Sequence, residues 1–130
     1  MIATLSRTAT FEAAHRLPHV PEGHKCGHLH GHSYRVTVVI KGPVQTEGPE
    51  AGMVMDFARV DRVVAPLVKQ LDHTLLNDHR GLDNPTSEHL ARWFIFQLRG
   101  LVPHLHSVTI RETERSEACV MVSEVGDGDE

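Results

Sequence analysis

The segment Cys26-Gly27-His28-Leu29-His30-Gly31-His32 packs one thiol and three imidazoles into seven residues, all of them able to ligate a transition metal. The run that follows, Tyr34-Arg35-Val36-Thr37-Val38-Val39-Ile40, reads as a β-strand. On an extended backbone side chains two apart point the same way, so His30 and His32 share one face and, roughly 7 Å apart along the chain, can converge on a single ion. Neutral imidazole suits zinc or another borderline divalent metal, and no carboxylate cage of the kind calcium requires accompanies it. The plainer account of eleven histidines in 130 residues is a solvated loop or a purification tag. These histidines are internal, alternate with small and apolar residues, and lead directly into a strand, which favours a metal site. Spacing alone allows a triad of His28, His30 and His32, all of one parity. Cys26 is either a fourth ligand, closing the site, or a reactive thiol beside an open one.

The elements that must position these groups follow from periodicity. Ile2 to Ala14 reads as a strand whose odd-numbered face carries Leu5, Ala9, Phe11 and Ala13, and the same parity brings in His15. Pro18, Pro21, Gly23 and Gly27 interrupt the pattern from Arg16 to Leu29, predicting a long loop that holds the thiol. A second strand covers about His32 to Lys41. Asp56 caps a helix with an apolar stripe of Val60, Val63, Val64, Leu67, Val68 and Leu71, and Pro66 within it predicts a kink or late break. After a polar stretch from Asp72 to Asn84, Pro85-Thr86-Ser87-Glu88 starts a second helix with Leu90, Trp93, Phe94 and Leu98 as its stripe, ended by Gly100 and Pro103. Ser107 to Thr113 and Ala118 to Val122 are further strands, with Glu114 to Glu117 as the turn and Cys119 as a packed strand residue. The expected fold is α+β, a four-stranded antiparallel sheet with two helices on one face. Val108, Ile110 and Glu112 share parity, so Glu112 aims toward the covered side; its plainer role is an ion pair with Arg111 or Arg115.

Composition sets further bounds. The chain reads as one domain over residues 1–123 with a frayed acidic tail at 124–130, and its six aromatic residues imply a modest core that oligomerisation would supplement. A formal net charge of −4 argues against nucleic acid as a partner, although Arg16 and Lys25 could form a local patch for a phosphorylated ligand. No apolar run is long enough to span a membrane, no signal-peptide pattern opens the chain, and two cysteines make no disulfide framework. A cytoplasmic protein is expected.

Phe11-Glu12-Ala13-Ala14-His15, Cys26 three residues before His30-Gly31-His32, Met55-Asp56-Phe57, Leu71-Asp72-His73, Asn84-Pro85-Thr86-Ser87-Glu88 and Arg111-Glu112-Thr113 stand in an order and spacing that resembles the family of 6-pyruvoyltetrahydropterin and 6-carboxytetrahydropterin synthases. The short Cys26–His30 gap is similar to the carboxy branch, which serves queuosine (7-deazaguanine) biosynthesis. The resemblance implies three zinc ligands, His15, His30 and His32, with a fourth position open. It implies Cys26 as proton acceptor, Asp72 and His73 as a proton relay, and Glu112 as the carboxylate that anchors the pterin. Thr86 and Ser87 would add contacts to the ring, Lys25 would favour the Cys26 thiolate and contact the substrate, and His28, standing where relatives often carry Arg, would lie near the substrate phosphates. The implied reaction converts 7,8-dihydroneopterin triphosphate to 6-carboxy-5,6,7,8-tetrahydropterin, acetaldehyde and triphosphate. The implied fold is the tunnelling fold, in which sheets from several subunits close into a barrel, here a homohexamer of two trimers. Two alternatives stay open: the pyruvoyl product, without side-chain cleavage, and a non-catalytic zinc module that uses Cys26 as a ligand. A cupin is disfavoured because no Glu follows His32 at four or five residues.

Overall fold

A computed structural model describes residues 1–127. Its framework is a pair of long antiparallel strands, β1 (Ile2–His15) and β2 (His30–Pro43), in register from Ile2↔Pro43 to His15↔His30. Helix α1 (Phe57–Leu71) and helix α2 (Ser87–Leu98) are separated by a two-residue strand, β3 (Thr74–Leu75), and followed by β4 (Leu105–Thr113) and β5 (Ser116–Met121). The sheet order is β3-β1-β2-β4-β5, antiparallel throughout except for the parallel β1–β3 pair. The sheet therefore has five strands in place of the expected four. The additional strand lies in the polar stretch after α1, where pairing at only Ala13↔Thr74 and Ala14↔Leu75 leaves no periodicity to read.

One face of the sheet is buried beneath the helices. Phe11, Ala13 and His15 of β1, Tyr34, Val36, Val38 and Ile40 of β2, and Val108 and Ile110 of β4 point into the core. They meet Val60, Val64 and Leu71 of α1 and Leu90, Ala91, Phe94, Ile95 and Leu98 of α2. Each helix starts on the cap its sequence offers: Asp56 accepts from the Ala58 amide at 2.9 Å, and Thr86 accepts from the His89 amide at 3.1 Å. Helix α1 runs through Pro66, which lies on its exposed side, where water can reach the carbonyl left without an amide partner.

The other face is polar and open, carrying Thr8, Arg35, Thr37, Thr109 and Arg111. Cys119 belongs to it. It is exposed and sits opposite Thr109, because Ala118 and Val120, paired with Ile110 and Val108, take the core side; the expectation of a packed thiol is overturned by that parity. Beyond β5, Arg99 reaches the carbonyls of Gly126 and Asp127 at 3.4 and 3.5 Å. Residues 128–130, part of the expected tail, lie outside the described residues.

Candidate active site

The β1–β2 register assembles the histidine cluster. His15 is the direct cross-strand partner of His30, and His32 lies two residues further along the same face, opposite the small side chain of Ala13. Gly31 between them allows the close pairing, since a Cβ there would meet the Ala13 carbonyl at 3.3 Å. One nitrogen from each of His15, His30 and His32 falls within 4.8 Å of the others. Parity on β2 alone would have admitted His28, but its side chain leaves the strand and lines a neighbouring hollow with Arg16 and His24.

Hydrogen bonding then fixes which nitrogens are free. His15 Nδ1 is 2.8 Å from the buried Pro85 carbonyl, and His30 Nδ1 is 2.6 Å from the His28 carbonyl. A carbonyl only accepts, so both Nδ1 atoms carry the proton and both Nε2 atoms present lone pairs. Those two Nε2 atoms face each other at 3.0 Å, an arrangement that repels unless a proton or a cation lies between them. His32 Nε2 is buried without any hydrogen-bond partner among the described residues. Burial pushes the pKa of both His15 and His32 down, disfavouring the protonated solution and keeping the imidazoles in the neutral form that binds metal. Zinc–nitrogen bonds of about 2.0–2.1 Å in a tetrahedron separate ligand nitrogens by about 3.3 Å, so the cluster fits such an ion after small adjustments.

Tyr34 is the supporting residue that sequence reading missed. Stacked on Phe11 at 5.1 Å and 1 % exposed, it brings its hydroxyl to 3.2 Å from His15 Nδ1. Burial raises its pKa strongly, so the hydroxyl stays protonated. Its parity with His32 was the available signal; the Pro85 carbonyl offered none, since a main-chain acceptor has no residue type.

A cleft of about 660 Å³ opens on the cluster, lined by Lys25, Cys26, His30, His32, Glu112, Thr113, Arg115 and Ser116. Cys26 enters it from a short 3₁₀ turn (Lys25–Gly27) held by its own amide to His24 Nδ1 and by its carbonyl accepting from the Leu17 amide, both at 3.0 Å. It is half-buried and lies outside the three-histidine cluster. Glu112 does face the covered side. Its partners are neither Arg111, which pairs with Glu117 at 3.1 Å, nor Arg115, but His32 Nε2 at 3.7 Å and the Ser87 hydroxyl, which donates to Oε2 at 3.0 Å. The start of α2 and the residue before its cap thus support two parts of the site, Glu112 through Ser87 and His15 through Pro85. The side chain of Thr86 caps that helix.

Asp72 and His73 are brought together but not into this cleft. His73 adopts φ 60°, a left-handed turn that lets adjacent side chains meet, with Nδ1 2.9 Å from Asp72 Oδ2. Asp72 Oδ1 accepts from the Glu12 amide at 2.8 Å, and this bond, with His73, lowers its pKa. His73 is largely exposed and lines a second cleft of about 450 Å³ with Glu12, Ala13, Ala14, Gly31, His32, Ser33 and Thr74. The two clefts share only His32.

The sheet-and-two-helix fold, with its metal-ready histidines beside a thiol and a carboxylate, has a counterpart among known proteins. Residues 4–123 match the family model described as 6-pyruvoyl tetrahydropterin synthase, and the chain belongs to that family. It is 51 % identical over 112 residues to the 6-carboxy-5,6,7,8-tetrahydropterin synthase of Synechocystis, covering 84 % of this chain and 85 % of that protein. A 37 % identical relative over 103 residues is the dihydroneopterin monophosphate aldolase of Pyrococcus furiosus, with 79 % and 81 % covered. In three dimensions the 6-pyruvoyl tetrahydropterin synthase of Caenorhabditis elegans superposes with a TM-score of 0.80 at 28 % identity, over 93 % of this chain and 96 % of that one. The fold is the tunnelling fold of these pterin enzymes.

Proposed function

We propose that this chain is a zinc-dependent 6-carboxytetrahydropterin synthase of the cytoplasm, converting 7,8-dihydroneopterin triphosphate and water to 6-carboxy-5,6,7,8-tetrahydropterin, acetaldehyde and triphosphate for queuosine biosynthesis. The observation that carries this reading is a single cleft lined by a free thiol, a carboxylate and two of the three histidines whose ring nitrogens converge within 4.8 Å. The relative from Synechocystis supports the carboxy product.

His15, His30 and His32 would hold the ion. Bound there, zinc would supply Lewis-acid polarisation of the substrate's side-chain hydroxyls. Glu112 accepts the adjacent ring N–H and amino group of the pterin in a paired, charge-assisted contact, with Ser87 orienting the carboxylate from behind. Cys26 removes a proton from the side chain of the pterin, and His73, oriented by Asp72, moves protons as the side chain rearranges and the triphosphate departs. Because Cys26 and His73 line different clefts of one chain, the complete site takes its thiol from one copy and its imidazole from another. Two open sheet edges favour such an assembly: the outer edge of β5, and β1 up to Glu12, since β3 covers only Ala13 and Ala14. The assembly proposed is the homohexamer of two trimers.

The test is incubation of zinc-loaded protein with 7,8-dihydroneopterin triphosphate and identification of products by mass spectrometry, with a chelated control. Zinc-dependent carboxytetrahydropterin and acetaldehyde are expected. A pyruvoyl product would move the chain to the sister activity, and absence of turnover at full zinc occupancy would overturn the enzyme reading.

A further inference from the structure

The cleft holds two cations without an assigned partner. Lys25 stands on the 3₁₀ turn beside Cys26, and Arg115 on the two-residue turn between β4 and β5, three residues beyond Glu112; both side chains are exposed at the cleft that also contains the histidines. The turn is pinned by the Arg115 amide donating to the Thr113 hydroxyl at 3.2 Å and by the Thr113↔Ser116 pair, so the guanidinium is carried by a fixed backbone. Among the described residues no carboxylate lies within ion-pair distance of Arg115, and the nearby acid that could have satisfied it, Glu117, is taken by Arg111. A guanidinium presents planar N–H groups that match two oxygens of a phosphate, a fit an ammonium cannot reproduce.

Charge favours such a residue in this chain. Its formal net charge is −4, so the overall field repels a polyanionic substrate, and attraction has to come from cations at the mouth of the cleft. The cleft is polarised for it: Glu112 lies on the covered side, where it suits the neutral ring, while Lys25 and Arg115 stand at the exposed rim. By contrast His28 and Arg16, also candidates for phosphate contact on sequence, line the neighbouring hollow.

Resting on the pterin-triphosphate reading above, we propose that Arg115, with Lys25, forms the subsite for the outer phosphates of the substrate and sets the preference of this enzyme for a triphosphate over a monophosphate. The distinction bears on this chain because a 37 % identical relative is named as an aldolase of the monophosphate. Arg115 acts on binding and on choice of substrate, leaving the pterin end to Glu112.

The experiment measures, by fluorescence titration of zinc-loaded protein, the Kd values of three unreactive oxidised pterins: neopterin triphosphate, neopterin monophosphate and neopterin. Wild type, R115Q, R115K and R62Q are compared, the last removing the same charge from the exposed surface of α1. Loss of charge-assisted hydrogen bonds worth about 1.5–3 kcal/mol predicts a Kd for neopterin triphosphate about 10- to 100-fold weaker in R115Q, with neopterin changed less than about twofold. R115K recovers part of the loss, and R62Q leaves all three unchanged. Equal weakening of all three ligands in R115Q, equal weakening in R62Q, or a wild type that binds the triphosphate no more tightly than neopterin would overturn the subsite. Turnover is read separately: a protein that binds as predicted yet forms no product refutes the proposed reaction and leaves the subsite standing.

Discussion

Polar groups are handled in opposite ways at the exposed margin of α1 and at the β1–β2 cleft. Around α1 they are paired. Arg7 forks onto Asp61 with two bonds of 2.7 Å, and Glu50 gathers the Asp56 amide, Gln45 and Arg59 at 2.8, 3.2 and 2.9 Å, tying the loop before the helix to its first turn. In the cleft His15 and His30 are oriented by their Nδ1 atoms and their Nε2 atoms face one another, while His32 Nε2 makes no hydrogen bond and lies 3.7 Å from a Glu112 oxygen. An unsatisfied buried polar group costs about 1–3 kcal/mol, whereas a zinc ion on three or four protein ligands returns on the order of 10 kcal/mol. The second quantity wins, so incomplete pairing in the cleft is an arrangement for a ligand and complete pairing around α1 is scaffolding.

Breaking the cleft gives the largest effects. Removing one of three imidazoles forfeits about a third of the metal-binding free energy, so His30→Ala lowers zinc affinity by on the order of 10²–10⁴-fold, read by competition with a chromophoric chelator. Cys26→Ala keeps its zinc and loses about 10³-fold in kcat, since general-base removal is worth about 10²–10⁴. Its sharper form is complementation: oligomers reassembled from a mixture of Cys26→Ala and His73→Ala chains recover turnover that neither variant has alone. Recovery would fail if both groups served the same chain. Tyr34→Phe removes support one step behind the ligands and weakens zinc by about 10–100-fold, with the fold intact by circular dichroism.

The smallest effect comes from the scaffold. The Glu50 carboxyl is held below its usual range, first by the Asp56 amide, then by Gln45 and Arg59. A depressed folded pKa means that its contribution is present above the unfolded value near 4.5 and is lost as pH falls through the folded one. Glu50→Gln therefore melts slightly below wild type at neutral pH, and the two melting temperatures converge in acid. Zinc affinity of this variant should equal wild type; a change there would blur the separation of the two regions.

Much of this was legible in sequence where the signal is periodic. The parity of β1 carried His15 onto the face of Phe11 and Ala13, and the parity of β4 turned Glu112 inward, away from the arginines next to it. The same parity placed Cys119 on the open face, a consequence visible once Val108 and Ile110 were read as core. What stayed hidden was non-local or without side-chain identity: the two-residue β3, the Pro85 and His28 carbonyls that orient two imidazoles, and the left-handed His73 that carries the Asp72–His73 pair to a separate cleft. His28 belongs with these, since a loop turning out of register removes it from a triad that spacing alone would have accepted.

On the reading proposed above, the free nitrogens of His15, His30 and His32 form an open metal site with Cys26 outside it. Cobalt substitution tests it most directly, by titrating metal-free wild type and Cys26→Ala with Co²⁺ and recording the visible and near-ultraviolet spectra. One ion per chain is expected in both proteins, with identical ligand-field bands and no thiolate-to-cobalt charge-transfer band. A charge-transfer band in wild type that disappears in Cys26→Ala together with much of the metal affinity would show a closed four-ligand site and contradict it.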